Sequence, residues 1–315
     1  MTTSFLSLVV SLNLLGLSSA FVIPMTTTTT TPHEIRSPNA LNMVVRNRGL
    51  EVRRDGATPQ GEEHKNCVHQ SALRYILFSH QTDPFNFHIE GGMTLYIKAG
   101  SDGTSAGDCP FAHYIRMVLH EKNLDYDLKP TTQETKPTWL IQHYEGKLPA
   151  LRHRKECYTE SEVIAQYLDF FFPKPELTIA DRGLSENANE AVQGFFPAVA
   201  KYLKHTPDGN DQDNDLKAGV KTCLETLETH LAHQHRTGHF LVGDGQTFTL
   251  SDCSLAPKLY HLTIGLKAFK NNAIQLESSF PFINKYMQHV FERQSFVDTT
   301  YPEETVVSGW EKARK

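Results

Sequence analysis

A chain of 315 residues, 39% hydrophobic and 21% charged, has room for about two ordinary globular domains. Its formal net charge of −5 offers no electrostatic footprint for nucleic acid or an anionic membrane, and neither is expected as a partner. The five cysteines (Cys67, Cys109, Cys157, Cys223 and Cys253) are odd in number and scattered without ligand-like pairing. That argues against a secreted disulfide framework, gives no metal site, and suits a reducing compartment.

Residues 1–20 read as a signal-like segment: an apolar run over 5–20 ends in Leu17-Ser18-Ser19-Ala20, although no Lys or Arg precedes it. The run is shorter than the roughly 20 residues a membrane-crossing helix needs. Residues 21–92 form a transit-like leader expected to lack a packed structure. It opens on Phe21, carries a threonine tract, and has Arg36, Arg46, Arg48, Arg53 and Arg54 with few acids. The pair of segments resembles a bipartite plastid presequence. The plainer alternative is a secretory signal followed by a spacer. Residues 60–92 have no assigned role.

From Met93 the pattern becomes strand, helix, strand, helix, two strands and helix. Residues 94–97 predict a strand, and Phe111, Ile115, Val118 and Leu119 recur at helical spacing after it. Residues 126–129, 148–153 and 157–159 predict three more strands, with a helical turn at 137–144 and a helix at 161–172. This order is that of a thioredoxin-like α/β domain over 93–172. A linker at 173–180 holds Pro173 and Pro175. Residues 181–315 show only helical stripes: Leu216/Val220/Leu224/Leu227/Leu231, Leu255/Leu259/Leu262/Leu266 and Ile283/Tyr286/Met287/Val290. They predict an all-helical domain with a C-terminal tail. The acidic stretch 208–215 reads as a solvated loop, and Thr249 with Asp252 as a capping box starting a buried helix.

The most informative segment is Gly107-Asp108-Cys109-Pro110. Proline in the first helical turn costs no hydrogen bond. Cys109 therefore sits where free N–H groups and the helix dipole favour a thiolate. Ala112 occupies the second cysteine position of a Cys-x-x-Cys, so Cys109 must be resolved by another molecule or a distant residue. Lys98 nearby would lower its pKa and Asp108 would raise it. Asp108 is thus better suited to a hydroxyl-rich substrate, or is simply a dipole-favoured helix-start residue. In Glu145-Gly146-Lys147-Leu148-Pro149, proline entering a strand is a candidate cis peptide, and in thioredoxin-like folds the residue before it offers its backbone to an extended peptide. Glu160-Ser161 opens the next helix, where N–H and hydroxyl groups suit a carboxylate or merely cap the helix. Lys136 and Lys147 could each bind a carboxylate. Cys223 and Cys253 fall within helices and read as packing residues, while Cys157 falls in an edge-strand setting and Cys67 in the leader.

These motifs resemble one family. Residues 93–315 resemble plant-type dehydroascorbate reductases of the glutathione transferase superfamily, near its omega and chloride-intracellular-channel branches. The likeness rests on Lys98-Ala99, the Cys109 segment, Lys136-Pro137, residues 145–149 and 160–164, the run 252–262, and Gly309-Trp310-Glu311. It implies a glutathione transferase fold and a monothiol ping-pong reduction of dehydroascorbate through Cys109. It also implies glutathione as co-substrate with no tightly bound cofactor, and a monomer. Lys98, Asp108, Lys136, Lys147, Leu148, Glu160, Ser161, His261 and Trp310 then match the glutathione and ascorbate pocket. The rival readings are an omega-like thiol transferase and a non-enzymatic glutathione-binding or channel-type relative. The latter is disfavoured by the charges at Lys98, Asp102, Asp108 and Arg116.

Overall fold

The computed structural model describes residues 41–46, 49–54, 92–207, 212–234 and 236–314. The signal-like segment, the threonine tract and residues 60–91 lie outside the described residues. Within the leader, β1 (Leu41–Arg46) and β2 (Gly49–Arg54) pair as an antiparallel hairpin, with Val45 opposite Leu50 and Met43 opposite Val52. The leader composition suggested no such element. Its arginines hide two short runs of strand-favouring Val and Leu close enough in sequence to pair locally.

The first domain holds β3 (Met93–Lys98), α1 (Pro110–Glu121), β4 (Tyr126–Thr131), α2 (Thr138–Tyr144), β5 (Ala150–His153), β6 (Glu156–Thr159) and α3 (Ser161–Phe171). Its sheet runs β4-β3-β5-β6, with β3 parallel to β4 and the other neighbours antiparallel. Met93, Leu95 and Ile97 alternate into the core. There they join Ile115, Val118 and Leu119 of α1 and Ile164, Ala165 and Leu168 of α3. The predicted strand at 148–153 starts two residues late, at Ala150, because Pro149 has no N–H to give the ladder.

Lys122, one residue past α1, is buried. Its ammonium donates to the carbonyls of Phe172 (2.7 Å) and Pro175 (2.8 Å) and pairs with Asp169 (2.6 Å). It thereby ties the end of α1 to the linker.

The second domain is helical: α4 (Arg182–Ala191), α5 (Phe195–Lys204), α6 (Gln212–Gln234), α7 (Leu250–Phe269), α8 (Leu276–Ser279), α9 (Pro281–Phe291), α10 (Gln294–Val297) and α11 (Glu303–Ala313). The three predicted stripes lie on α6, α7 and α9 and are buried, apart from the half-buried Leu216. The acidic stretch is corrected in part. Gln212 to Asp215 is the first turn of α6, where the dipole favours acids, and Asp213 bonds both Lys270 and His205 (3.1 Å). At the start of α7 the buried Asp252 accepts from Thr249 N–H and hydroxyl (both 2.8 Å), Leu241 N–H (2.9 Å) and the Tyr286 hydroxyl (3.1 Å). That capping box is structural. Among the described residues no helix is long and apolar enough to cross a membrane.

The domains meet where α1 lies along α7, and the segment from Arg293 onward folds back over α1. Arg293 makes a two-point contact with Glu121 (2.6 and 2.8 Å), and His120 meets Asp298 at 2.8 Å.

Candidate active site at the start of helix α1

Cys109 is the N-cap of α1, with Pro110 in the first turn and no side chain capping the helix. The loop before it is pinned at both ends. Asp102 accepts from Thr104 N–H (2.9 Å) and Ser105 N–H (2.8 Å), which holds its carboxyl down at about 2. Gly107 N–H donates to the Lys98 carbonyl (2.8 Å), and a Cβ on Gly107 would strike that backbone at 2.6–2.7 Å. Glycine is therefore required where the chain doubles back beside β3 to deliver Cys109.

The sulfur feels opposed influences. Burial pushes the Cys109 thiol up, the N–H groups of Ala112 and Phe111 pull it down, Asp108 pushes it up and Lys98 pulls it down. Burial prevails, so the thiol is the resting form. Helix position alone suggested a thiolate; the N–H donors it relied on are present, and burial outweighs them.

Asp108 and Lys98 form an ion pair at 2.6 Å, Asp108 being largely covered and Lys98 half-exposed. The cover over Asp108 is Gly309 of α11: a Cβ there would lie 1.7 Å from the Asp108 carboxylate. Trp310 donates its indole N–H to His261 Nδ1 (3.1 Å). Burial lowers His261 to about 4, so its ring is neutral. With Nδ1 accepting, the proton lies on Nε2, which is 2.7 Å from the Tyr301 hydroxyl. Both His261 nitrogens are thus engaged and its ring is 1% exposed. Its ring therefore presents no open edge, and the Asp108 charge acts on it directly.

The remaining candidates gather at the same end of the sheet. Ala150 pairs with Thr159 and with Tyr96, which brings the Leu148-Pro149 step, Glu160-Ser161 and the end of β3 to one edge. The Leu148-Pro149 peptide is cis. Lys147 lies 3.1 Å from Glu160 and 3.8 Å from Glu145. Lys136 lies over Gly146, its ammonium 3.3 Å from where a Cβ would stand. The α3 N-cap is Glu160, not Ser161, and Glu160 sits at φ 67 without a side-chain cap bond. A non-glycine residue in that region stores strain, as residues at binding sites often do. Ser161 therefore begins the helix with its hydroxyl outside the capping role.

Cys157 is buried on the edge strand β6, Cys253 is fully buried in α7 and Cys223 is half-buried in α6, so each packs against the core. Reading the sequence missed Tyr301 and His113, and named Gly309 only as part of a family motif. Gly309 had a signal, since a glycine inside a helix costs about 1 kcal/mol and needs a packing reason. Tyr301 had none.

Two family models match the chain: the glutathione S-transferase N-terminal domain over residues 108–169 and the C-terminal domain over residues 182–289, together more than half of it. The chain belongs to the glutathione transferase family. Within that family, the Arabidopsis thaliana protein named glutathione S-transferase DHAR3, chloroplastic, is 29% identical over 238 residues, covering 75% of this chain and 83% of its own. Glutathione S-transferase DHAR2 from the same plant is 34% identical over 206 residues, covering 65% of this chain and 90% of its own. The crystal structure of Chlamydomonas reinhardtii dehydroascorbate reductase superposes with a TM-score of 0.61 at 26% identity, over 70% of this chain and 98% of the other. The thioredoxin-like domain followed by a helical bundle is thus the glutathione transferase fold.

Proposed function

We propose that this protein is a glutathione-dependent dehydroascorbate reductase, working as a monomer through Cys109. The observation that carries the reading is a lone cysteine at the N-terminus of α1 with the Lys98–Asp108 pair at its side. The DHAR names of its relatives support the choice of substrate. Dehydroascorbate takes up two electrons and two protons to give ascorbate; the Cys109 thiol and one water supply them, leaving a sulfenic acid. Glutathione condenses with that acid, releasing water and forming a mixed disulfide. A second glutathione attacks the glutathione sulfur, releasing glutathione disulfide and returning Cys109 as thiolate.

In this reading the Leu148 backbone, Glu160, Ser161, Lys136 and Lys147 receive glutathione, and Lys98 and Asp108 face the ascorbate hydroxyls. His261 and Trp310 hold the wall behind them. Replacing Cys109 by Ser should abolish glutathione-dependent dehydroascorbate reduction; substantial turnover by Cys109→Ser would overturn the assignment. Initial rates with dehydroascorbate and with a model mixed disulfide decide between this reductase and a thiol transferase. The proposal extends to a plastid location, supported by the composition of residues 1–92 and the chloroplastic name of one relative. A fluorescent fusion of residues 1–92 that stays in the secretory pathway would refute it.

A further inference from the structure

Lys258 belongs to the run 252–262 that marks the helical half, and the mechanism above leaves it without a task. It lines a cleft of about 350 Å³ between the two domains, together with Tyr114 of α1, Glu162 of α3, Phe196 of α5, and Ser251 and Ser254 of α7. That volume is in the range of small-ligand sites. The Lys258 ammonium donates to Ser254 Oγ at 2.8 Å and lies 5.9 Å from the centre of the Phe111 ring. No carboxylate of the described residues comes within 4 Å of it. Burial lowers this ammonium, and Glu162 is the charge that counters the effect. A half-buried cation without a close counter-ion is costly unless something anionic joins it. Glu162, meanwhile, is met only weakly, by the Tyr114 hydroxyl at 3.4 Å. Phe111, two residues after Cys109, touches Phe196 of the cleft wall edge-on at 5.5 Å, so one side chain separates the cleft from the segment that carries the thiol.

We propose that this cleft binds the second glutathione, the one that attacks the mixed disulfide, with Lys258 holding a carboxylate and Glu162 the α-ammonium. A zwitterionic tripeptide matches one cation and one anion set apart in a cleft with serine hydroxyls between them. From there its thiolate attacks the glutathione sulfur on Cys109. The new bond joins the two glutathione sulfurs, the Cys109 S–S bond breaks, and its electron pair stays on Cys109. The attacking thiol's proton goes to solvent. The inference rests on the reading of Cys109 as a thiol regenerated by glutathione.

The test uses the full chain with Cys109 first converted to its mixed disulfide by glutathione disulfide, so that dehydroascorbate plays no part. Release of that disulfide is followed in single turnover at rising glutathione, in wild type and Lys258→Met. In wild type the rate should saturate. In Lys258→Met the half-saturating concentration should rise about tenfold or more, as for loss of a charge-assisted contact, with the limiting rate little changed. With 2-mercaptoethanol, which lacks both charges, the two proteins should react alike. A wild-type rate strictly linear in glutathione would overturn the site. So would an unchanged glutathione dependence in the variant, or a shift that 2-mercaptoethanol reproduces. Should Lys258→Met fail to fold, Glu162→Gln is read by the same criteria. A Cys109 that never takes up glutathione overturns the regeneration reading and the cleft with it; an unchanged dependence with intact regeneration overturns the cleft alone.

Discussion

His113 lies one turn after Cys109 on α1, fully buried, with its ring against Phe296 (5.0 Å) and Tyr301 (5.2 Å). Neither ring nitrogen makes a well-formed hydrogen bond among the described residues. Burial, with Arg116 and His261 adding to it, lowers His113 to about 3. Burial likewise takes His261 and His153 to about 4. An unfolded histidine titrates near 6.5. Between pH 6.5 and 4 the unfolded chain takes up protons that the folded chain refuses. The stability from these rings is therefore complete above 6.5 and falls as the pH drops toward 4. Each ring costs about 1.4 kcal/mol per pH unit inside that window. Going from pH 7.5 to 5.5 crosses about one unit of it, so three rings together remove about 4 kcal/mol. Replacing His113 by Leu isolates one share and cancels every other titrating group. Urea unfolding of both proteins at the two pH values should show the His113→Leu variant losing about 1.4 kcal/mol less than wild type. At pH 7.5 the variant should be no less stable, because an unpaired imidazole gives way to an apolar group of similar size. Equal losses in both proteins would refute the reasoning, since His113 would then titrate alike folded and unfolded.

Gly309→Ala puts a methyl group 1.7 Å from the Asp108 carboxylate, so either Asp108 leaves Lys98 or α11 lifts. Calorimetry should register a loss of about 1–3 kcal/mol, typical of overpacking, and turnover should drop along with it. Lys122→Met removes a buried ammonium from two carbonyls and leaves Asp169 with Leu177 N–H (3.1 Å) and the Thr178 hydroxyl (2.6 Å). Urea unfolding should show a loss of about 3–5 kcal/mol, as when one partner of a buried pair is taken away.

Local patterns were readable wherever a period or a special residue reported them. The alternation of Met93, Leu95 and Ile97 and the spacing of Ile115, Val118 and Leu119 located β3 and α1. Pro110 and Pro149 marked the two features that bracket the thiol. The acidic turn at the start of α6 was misread because its residues lack apolar periodicity, while the partners that explain Asp213 are His205 and Lys270, the latter 57 residues away. The state of Cys109 was misjudged for a similar reason. Tyr301, close enough to Cys109 to feel its charge, comes 192 residues further along the chain, and no local motif reports contacts at that range. His261 shows the same limit: the family likeness named it, but its hydrogen-bond partners Tyr301 and Trp310 lie 40 and 49 residues away.

The segment that folds back over α1 also sets an order of events in the making of the protein. Arg293, Tyr301 and Trp310 leave the ribosome 184 or more residues after Cys109. At about 5–20 residues per second that is a delay of roughly 10–40 s. The thioredoxin-like domain can fold in that interval, yet its Asp108 has no Gly309 against it and its Glu121 no Arg293. The Lys98–Asp108 pair beside the nascent cysteine is therefore more open to solvent than in the finished protein. Docking of the last helix closes that side of the ion pair.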